Sequence, residues 1–211
     1  MNEWWVIRRQ PVGESDWLVD LFTRQFGRVR ATASGRRYLP VLHQHCRGEW
    51  SEKSSRLQIR LAEGGQAHHL EGNALVCALY LEELIIRLLP ERDPDATLYS
   101  LYSNALTALA EGLRADIWLR LFEQRLLSHC GYGFSWSIDS AGRPLADSGQ
   151  YQFVPGEGFI AREDGYSGEV LRYIAAGEFQ RPGALSTARS VLRQAIDALL
   201  LQPLISRELL I

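Results

Sequence analysis

Two histidines stand two residues apart and could bind a metal ion. Residues 43–46 read His-Gln-His-Cys, and His43 and His45 would share one face of an extended strand because side chains alternate along it. A tetrahedral zinc site needs two more ligands, and the pair His68-His69 is the candidate group nearby. A zinc enzyme that uses His43, His45 and His68 is therefore one hypothesis. The alternative, that these are polar loop residues of a small barrel without a metal, is the one we favour.

No other group of residues has the spacing of a catalytic site. The glycines at 156–158 lack the lysine and the helix start that a phosphate-binding loop needs. The pair Glu82-Glu83 stands beside Arg87 on a helical segment, which favours an i,i+4 ion pair on a solvated rim over an acid/base dyad. The sequence therefore predicts a protein that is not an enzyme and that needs no cofactor.

The distribution of arginine does point to a function. The 211-residue chain has a net charge of −2, yet residues 1–60 hold 11 basic and 6 acidic side chains, and residues 61–211 hold 12 and 19. Such asymmetry suggests that the first part meets a polyanion. All basic residues except Lys53 are arginine, whose planar guanidinium pairs with phosphate and stacks on bases, although a GC-rich genome gives the same bias.

Eight of these arginines are predicted to form a DNA-binding face, together with nearby aromatic rings. The candidate DNA-binding residues are Arg8, Arg9, Arg28, Arg30, Arg36, Arg37, Arg56 and Arg60. The aromatic residues nearby are Trp4, Trp5, Tyr38 and Trp50. Cationic grooves with stacking rings are what single-strand binding requires. The alternative is that the arginines are ordinary solvated positions and that the tryptophans belong to the core.

The elements that must position these arginines are strands. In the segment 28–33, Val29, Ala31 and Ala33 alternate with polar residues, and the segment 56–61 repeats the pattern with Leu57, Ile59 and Leu61. Several short strands separated by polar turns predict a small OB-like β-barrel over residues 1–63.

The remainder, residues 64–211, is predicted to be an α-helical domain. After Gly64-Gly65 the hydrophobic period changes from about 2 to about 3.6 residues. Helices are expected at 73–89, at 94–110 after an Asp93 N-cap, at 115–129, at 167–177 and at 184–201, with a loop or hairpin insertion at about 132–165. The fold class is thus α+β.

The remaining composition predicts a cytoplasmic protein. The three cysteines are far apart in sequence and odd in number, which is typical of a reducing compartment. The N-terminus does not resemble a signal peptide, and no apolar run reaches the roughly 18 residues of a membrane span. We therefore expect no membrane partner. The DNA binding predicted from the arginines adds an expected association with the nucleoid.

Several stretches of the chain match the motifs of a known protein family in sequence and in order. Residues 6–23, VIRRQPVGESDWLVDLFT, match an opening strand, a "P-x-G/S-E-S/T" turn and a strand ending in "F-T". The later matches are FGRV at 26–29, GRR at 35–37, LYLEEL at 79–84, LRLFE at 119–123, LL at 126–127, GYG at 131–133 and PLISRELL at 203–210. Together these stretches resemble the RecO family of bacterial recombination mediators.

The resemblance implies an OB-fold followed by a helical domain, and a set of partners. These are single- and double-stranded DNA, RecR, and the acidic, phenylalanine-ended tail of single-stranded-DNA-binding protein. The implied activities are strand annealing and the loading of recombinase on gaps. Arg120 matches the family's arginine before "x-F-E", which makes Arg120 and Phe122 the candidate partner-binding residues. The alternative for Arg120 is an intrahelical pair with Glu123 or Asp116.

Three departures from the family pattern leave a second interpretation open. Ser34 replaces the family's lysine, the basic segment after Arg37 is short, and residues 134–165 lack the four cysteines with which many members bind zinc. The second interpretation is a protein-binding adaptor with weak or no DNA binding, which would hold partners through Arg120 and the apolar helix 73–89.

Overall fold

The structure, a computed structural model, describes residues 2–35, 39–53 and 56–209. Contacts divide the chain into two compact units, residues 1–115 with 204–211 and residues 116–203. The change from strand to helix falls at residues 68–71, and the two units separate before residue 116. The first helices stay with the barrel because side chains join them, as where Trp5 Nε1 donates a hydrogen bond to Ser103 Oγ at 2.8 Å.

The first unit is built on a closed five-stranded barrel, which confirms the predicted fold class. Its strands, paired in the order β1-β2-β3-β5-β4 with β1 closing on β4, are β1 (Asn2–Val12), β2 (Asp16–Thr23), β3 (Gly27–Ser34), β4 (Gln44–Lys53) and β5 (Arg56–Ala67). The β3–β5 pair is parallel and the other pairs are antiparallel. Closure leaves this sheet without an unpaired edge.

Hydrophobic alternation places the barrel core as predicted. Val29, Ala31 and Ala33 of β3 are buried, and Ile59 of β5 is buried beside the exposed Gln58. Other buried members of this core are Trp4, Val6, Val19, Leu21 and Cys46. Because successive side chains of a strand point to opposite faces, the arginines of β3 point away from this core. The side chains of Leu57 and Leu61 lie outside the described part of the structure.

Three helices complete the first unit: α1 (Gly72–Leu88), α2 (Ala96–Ala110) and the short α6 (Ile205–Glu208). The N-cap of α2 is Asp95 rather than the expected Asp93, since Asp95 Oδ1 accepts a hydrogen bond from Leu98 N at 2.9 Å. An N-cap is chosen by which carboxylate reaches the free N–H groups of the first turn, and Pro94 therefore precedes the helix.

The second unit contains α3 (Asp116–His129), α4 (Gly168–Ala175) and α5 (Ala184–Leu199). Between α3 and α4 in the sequence are the strands β6 (Gln150–Val154), β7 (Gly158–Arg162) and β8 (Tyr166–Ser167). They form a three-stranded sheet in the order β7-β6-β8. The hairpin of β6 and β7 falls inside the insertion expected at 132–165. Among the helices of the described residues, none is long and apolar enough to cross a membrane.

Candidate nucleic-acid interface

Three of the predicted arginines converge on one carboxylate, that of Asp20. Asp20 lies on β2 opposite Arg8 of β1 and opposite Arg30 of β3. Arg8 Nε donates to Asp20 Oδ2 at 2.6 Å, Arg30 Nε donates to Oδ1 at 3.1 Å, and Arg28 Nη1 lies 3.7 Å from Oδ1. The structure thus brings Arg8, Arg28 and Arg30 together on the outer surface of the barrel, where they keep a local excess of positive charge.

The three arginines differ in how far they reach solvent. The side chains of Arg8 and Arg30 are 45% and 42% exposed, whereas that of Arg28 is 11% exposed. Arg28 also donates from Nε to Leu89 O at 3.1 Å and from Nη1 to Glu91 Oε1 at 3.2 Å. Arg28 therefore joins the barrel to the segment after α1, and Arg8 and Arg30 are the members that a ligand can reach.

Of the other five predicted arginines, only the side chain of Arg9 lies in the described part of the structure. Arg9 donates from Nη1 to Pro40 O at 2.6 Å, and its guanidinium lies 5.2 Å from the centroid of the Trp17 ring. The side chains of the remaining four, Arg36, Arg37, Arg56 and Arg60, lie outside the described residues.

The aromatic surface is not where the sequence suggested. Trp4 is fully buried and Trp5 is 5% exposed, so the expectation that they are surface rings is wrong. Trp4 packs inside the barrel, where its hydrophobic area is removed from water. Among the described residues of the barrel, an accessible ring is that of Phe26, which is 42% exposed in the turn between β2 and β3. It packs edge-on against Trp50 with ring centroids 5.4 Å apart. Tyr38 lies outside the described residues.

Asp20 is the functional candidate that sequence reasoning missed. It stands between the inward-facing Val19 and Leu21, so alternation already places it on the outer face. Its role depends on the register that puts it beside Arg8 and Arg30, and register between strands is not visible in a single sequence.

The histidines form no metal site with their neighbours. His43 Nε2 lies 3.1 Å from Glu82 Oε1, but the two groups are not aligned for a hydrogen bond. His45 Nε2 lies 3.0 Å from Tyr99 Oη. His68 stacks on the Trp5 ring. Within the described part of the chain, no group of three or more histidine, cysteine, aspartate or glutamate side chains could hold a metal ion.

In the Glu82-Glu83 pair, Glu83 is placed as expected and Glu82 is not. Glu83 pairs with Arg87 at 3.1 Å, as the i,i+4 spacing predicts. Glu82 is buried, however, and accepts a hydrogen bond from Tyr102 Oη at 3.0 Å. Burial raises the pKa of Glu82, and the contacts with His43 and Tyr102 oppose that rise. The placement of Glu82 on a solvated rim is therefore wrong, because the inner face of α1 includes this carboxylate.

The predicted partner-binding residues are buried side chains of α3. Phe122 is fully buried, and Arg120, 8% exposed, donates from Nη2 to Glu123 Oε1 at 2.6 Å. The intrahelical pair considered from the sequence is therefore formed. Arg120 Nε has no hydrogen-bond partner among the described residues.

A groove lies near the C-terminal end of the same helix. Its volume is about 600 Å³, and its walls include Gln124, Leu127, Phe134 and Trp136. The side-chain nitrogen of Gln124 is buried without a hydrogen-bond partner in the described structure. Gln124 stands four residues after Arg120, so the two donors lie on the same side of α3. Nothing in the sequence marked Gln124.

Comparison with known proteins identifies the family of this chain. The family model "Recombination protein O N terminal" matches residues 3–50, and "Recombination protein O C terminal" matches residues 69–208. The DNA repair protein RecO of Stutzerimonas stutzeri (strain A1501) is 41% identical over 217 residues, which cover 97% of this chain and 90% of that protein. Those of Pseudomonas paraeruginosa (strain PA7) and Pseudomonas putida (strain F1) are each 36% identical, covering 97% of this chain and 92% and 94% of their own lengths. The chain therefore belongs to the RecO family of DNA repair proteins.

Proposed function

We propose that this protein is a non-catalytic recombination mediator that binds single-stranded DNA on the outer surface of its barrel. The observation that supports the proposal most directly is the pair of half-exposed guanidinium groups, Arg8 and Arg30, on a small closed barrel. Barrels of this size are a common scaffold for single-strand binding, in which a cationic surface follows the backbone and aromatic rings stack on bases. Among the described residues of the barrel, Phe26 is an exposed ring that could stack on a base.

The decisive experiment is fluorescence anisotropy of a labelled single-stranded oligonucleotide at two salt concentrations. Each phosphate neutralised on a single strand contributes about −0.7 to the slope of log K against log salt. We expect Arg8→Ala and Arg30→Ala each to weaken binding and to reduce that slope. The matched control is Arg172→Ala, which removes an arginine that is 52% exposed and paired with Asp147 in the second unit.

Two results would contradict this assignment. If the protein fails to bind the oligonucleotide at low salt, the adaptor interpretation replaces the mediator. If it binds but the barrel variants and Arg172→Ala have the same effect, the DNA-binding surface lies elsewhere. The same titration with duplex DNA tests the proposed binding of double strands.

We also propose that α3 binds the acidic, phenylalanine-ended tail of single-stranded-DNA-binding protein. Arg120 lies on the same side of α3 as Gln124, which is part of the wall of the groove. A guanidinium is suited to a carboxylate, and the aromatic walls of the groove are suited to a ring. A labelled tail peptide should bind the wild-type protein and bind Arg120→Lys more weakly, because lysine lacks the guanidinium fork. Arg125→Ala, an exposed position on the same helix, is the control. Equal affinities of all three proteins would contradict the proposal.

The remaining steps follow from these two binding activities. A protein that holds both the tail and bare strand would anneal complementary strands and, with RecR, help to load recombinase in the cytoplasm at the nucleoid. An annealing assay on strands coated with single-stranded-DNA-binding protein, with and without RecR, tests this sequence of events. Loss of annealing in Arg30→Ala with the tail affinity unchanged is the expected result.

A further inference from the structure

We propose that Asp20 is a positioning residue, which holds Arg8 and Arg30 as a preorganised pair for the phosphates of the DNA backbone. The inference rests on the proposed function of the barrel surface. It differs from that proposal in assigning a role in DNA binding to a negatively charged side chain.

The carboxylate divides its two oxygen atoms between the two arginines. Oδ2 accepts from Arg8 Nε and Oδ1 accepts from Arg30 Nε, at 2.6 and 3.1 Å. Within the described residues, the terminal Nη groups of Arg8 and Arg30 make no further hydrogen bond. Each guanidinium is thus fixed through its inner nitrogen while its outer nitrogens stay available, which is the arrangement that a phosphate oxygen can use.

The neighbourhood of Asp20 makes this arrangement stable. Asp20 is 1% exposed, and a buried carboxylate is tolerated only when it is paired and hydrogen-bonded. The flanking strands supply that pairing in register, since Asp20 faces Arg8 on one side and Arg30 on the other. Arg28 is the third arginine near the Asp20 carboxylate, and it donates hydrogen bonds to Leu89 O and Glu91 Oε1.

Rotamer freedom explains why such a device would matter. A free arginine side chain loses up to about 2 kcal/mol of conformational entropy when a ligand orders it. Arginines already ordered by Asp20 avoid much of this cost when they bind a phosphate. The three arginines around one carboxylate still leave the cluster positively charged.

The test relies on the fact that the charge of Asp20 and its positioning role predict opposite changes in DNA affinity. Asp20→Asn removes one negative charge from the full-length protein, so a purely electrostatic surface would bind DNA more tightly after the change. Positioning predicts the reverse, with binding of a labelled single-stranded oligonucleotide weakened about tenfold, the cost of one misplaced charged hydrogen bond. The salt slope should fall by about 0.7 for each phosphate that the variant no longer neutralises.

The control for net charge is Asp147→Asn, whose aspartate pairs with Arg172 in the second unit and is 56% exposed. It should leave binding unchanged or slightly tighter. If Asp20→Asn behaves like Asp147→Asn while the wild-type protein binds DNA, the positioning role is overturned and the proposed function stands. If the wild-type protein does not bind, the proposed function has failed first.

A second variant covers the possibility that Asp20→Asn unfolds. The double substitution Arg8→Lys with Arg30→Lys keeps both charges but removes the Nε–H groups that Asp20 holds. It should weaken DNA binding to a similar extent and with a thermal melt close to that of the wild type. Wild-type affinity in this double variant would overturn the proposal, because charge without orientation would then be sufficient.

Discussion

The carboxylate of Glu83 on α1 accepts two hydrogen bonds from Ser206, 123 residues away in the chain. Glu83 Oε2 accepts from Ser206 N at 2.9 Å and from Ser206 Oγ at 2.7 Å, and Oε1 accepts from Ile205 N at 3.1 Å. The glutamate thus caps the first turn of α6 from another helix, a position where backbone N–H groups need acceptors. The start of α6 is therefore fixed on α1 within the first unit.

We expect Glu83→Gln to lower the free energy of unfolding by about 1–3 kcal/mol at neutral pH, the usual cost of weakened hydrogen bonds to a charged group. Burial alone would raise the pKa of Glu83, but the hydrogen bonds from Ser206, Ile205 and Arg87 bring it below its ordinary value of 4.5. A lowered carboxyl pKa gives stability that is present above 4.5 and lost as the pH falls through the folded value.

Urea denaturation at pH 7 and at pH 3 measures this difference. The gap between Glu83→Gln and the wild type should narrow at the lower pH. Glu178→Gln, which removes the exposed pair with Arg181, is the control and should change stability little. A gap of the same size at both pH values would mean that the charge of Glu83 is unimportant.

Tyr102→Phe tests the buried contact between α2 and α1. The substitution keeps the ring, which packs edge-on against Phe22, and removes only the hydroxyl that donates to Glu82. We expect a loss of about 1–3 kcal/mol, because a buried carboxylate is left with one donor fewer. Burial raises the pKa of Glu82 above its ordinary value of 4.5. The folded protein therefore loses stability relative to the unfolded chain as the pH rises above 4.5.

The deficit of Tyr102→Phe should therefore grow with rising pH, since the charged carboxylate needs the hydroxyl most. Thermal melts at pH 5 and pH 8 give the comparison. Tyr166→Phe is the matched control, because the Tyr166 hydroxyl bonds Ser190 at an exposed position. A deficit that shrinks toward pH 8 would contradict the role given to Glu82.

How much of this could be predicted from sequence depends on whether a feature is local. Alternation along β3 was enough to place Val29 inside the barrel and Arg30 outside it, because the period of a strand is set by backbone geometry. The meeting of Asp20 with Arg8 and Arg30 could not be predicted, since it needs the register of three strands. Glu82 was misplaced for a similar reason, as its partner Tyr102 belongs to another helix.

Gly27 should not tolerate a side chain, and the reason can be separated into two parts. Its φ is +65°, and a Cβ added there would lie 2.3 Å from Asp93 O. Gly13 has a similar φ of +69°, but a Cβ added there would have no atom within 4 Å, which makes Gly13→Ala the control for backbone strain alone. A left-handed backbone costs an L-residue about 1–2 kcal/mol.

We therefore expect Gly27→Ala to cost clearly more than Gly13→Ala in the free energy of unfolding. The excess measures how firmly the β2–β3 turn is packed against the segment before α2. Chemical denaturation of both variants is sufficient, and equal losses would show that Asp93 moves aside without cost.

Asp139 organises the loop before β6 through three hydrogen bonds. Its Oδ1 accepts from Ala141 N and Arg143 N, each at 2.9 Å, and its Oδ2 accepts from Arg143 Nε at 2.9 Å. These hydrogen bonds, that from the Arg143 backbone above all, lower the pKa of Asp139 from its ordinary 3.8. The loop should therefore be held above pH 3.8 and loosen as the pH falls through the folded value.

Asp139→Ala should accordingly speed amide hydrogen exchange at residues 141–143 while the exchange of α3 and α5 stays slow, because the carboxylate serves only this turn. The wild-type protein treated with EDTA should keep both its melting temperature and its loop protection, since residues 134–165 contain no cysteine to bind zinc. The control is Asp164→Ala, which removes an exposed aspartate between β7 and β8. Loop protection that survives Asp139→Ala but is lost on chelation would assign the loop to a bound metal instead of to this carboxylate.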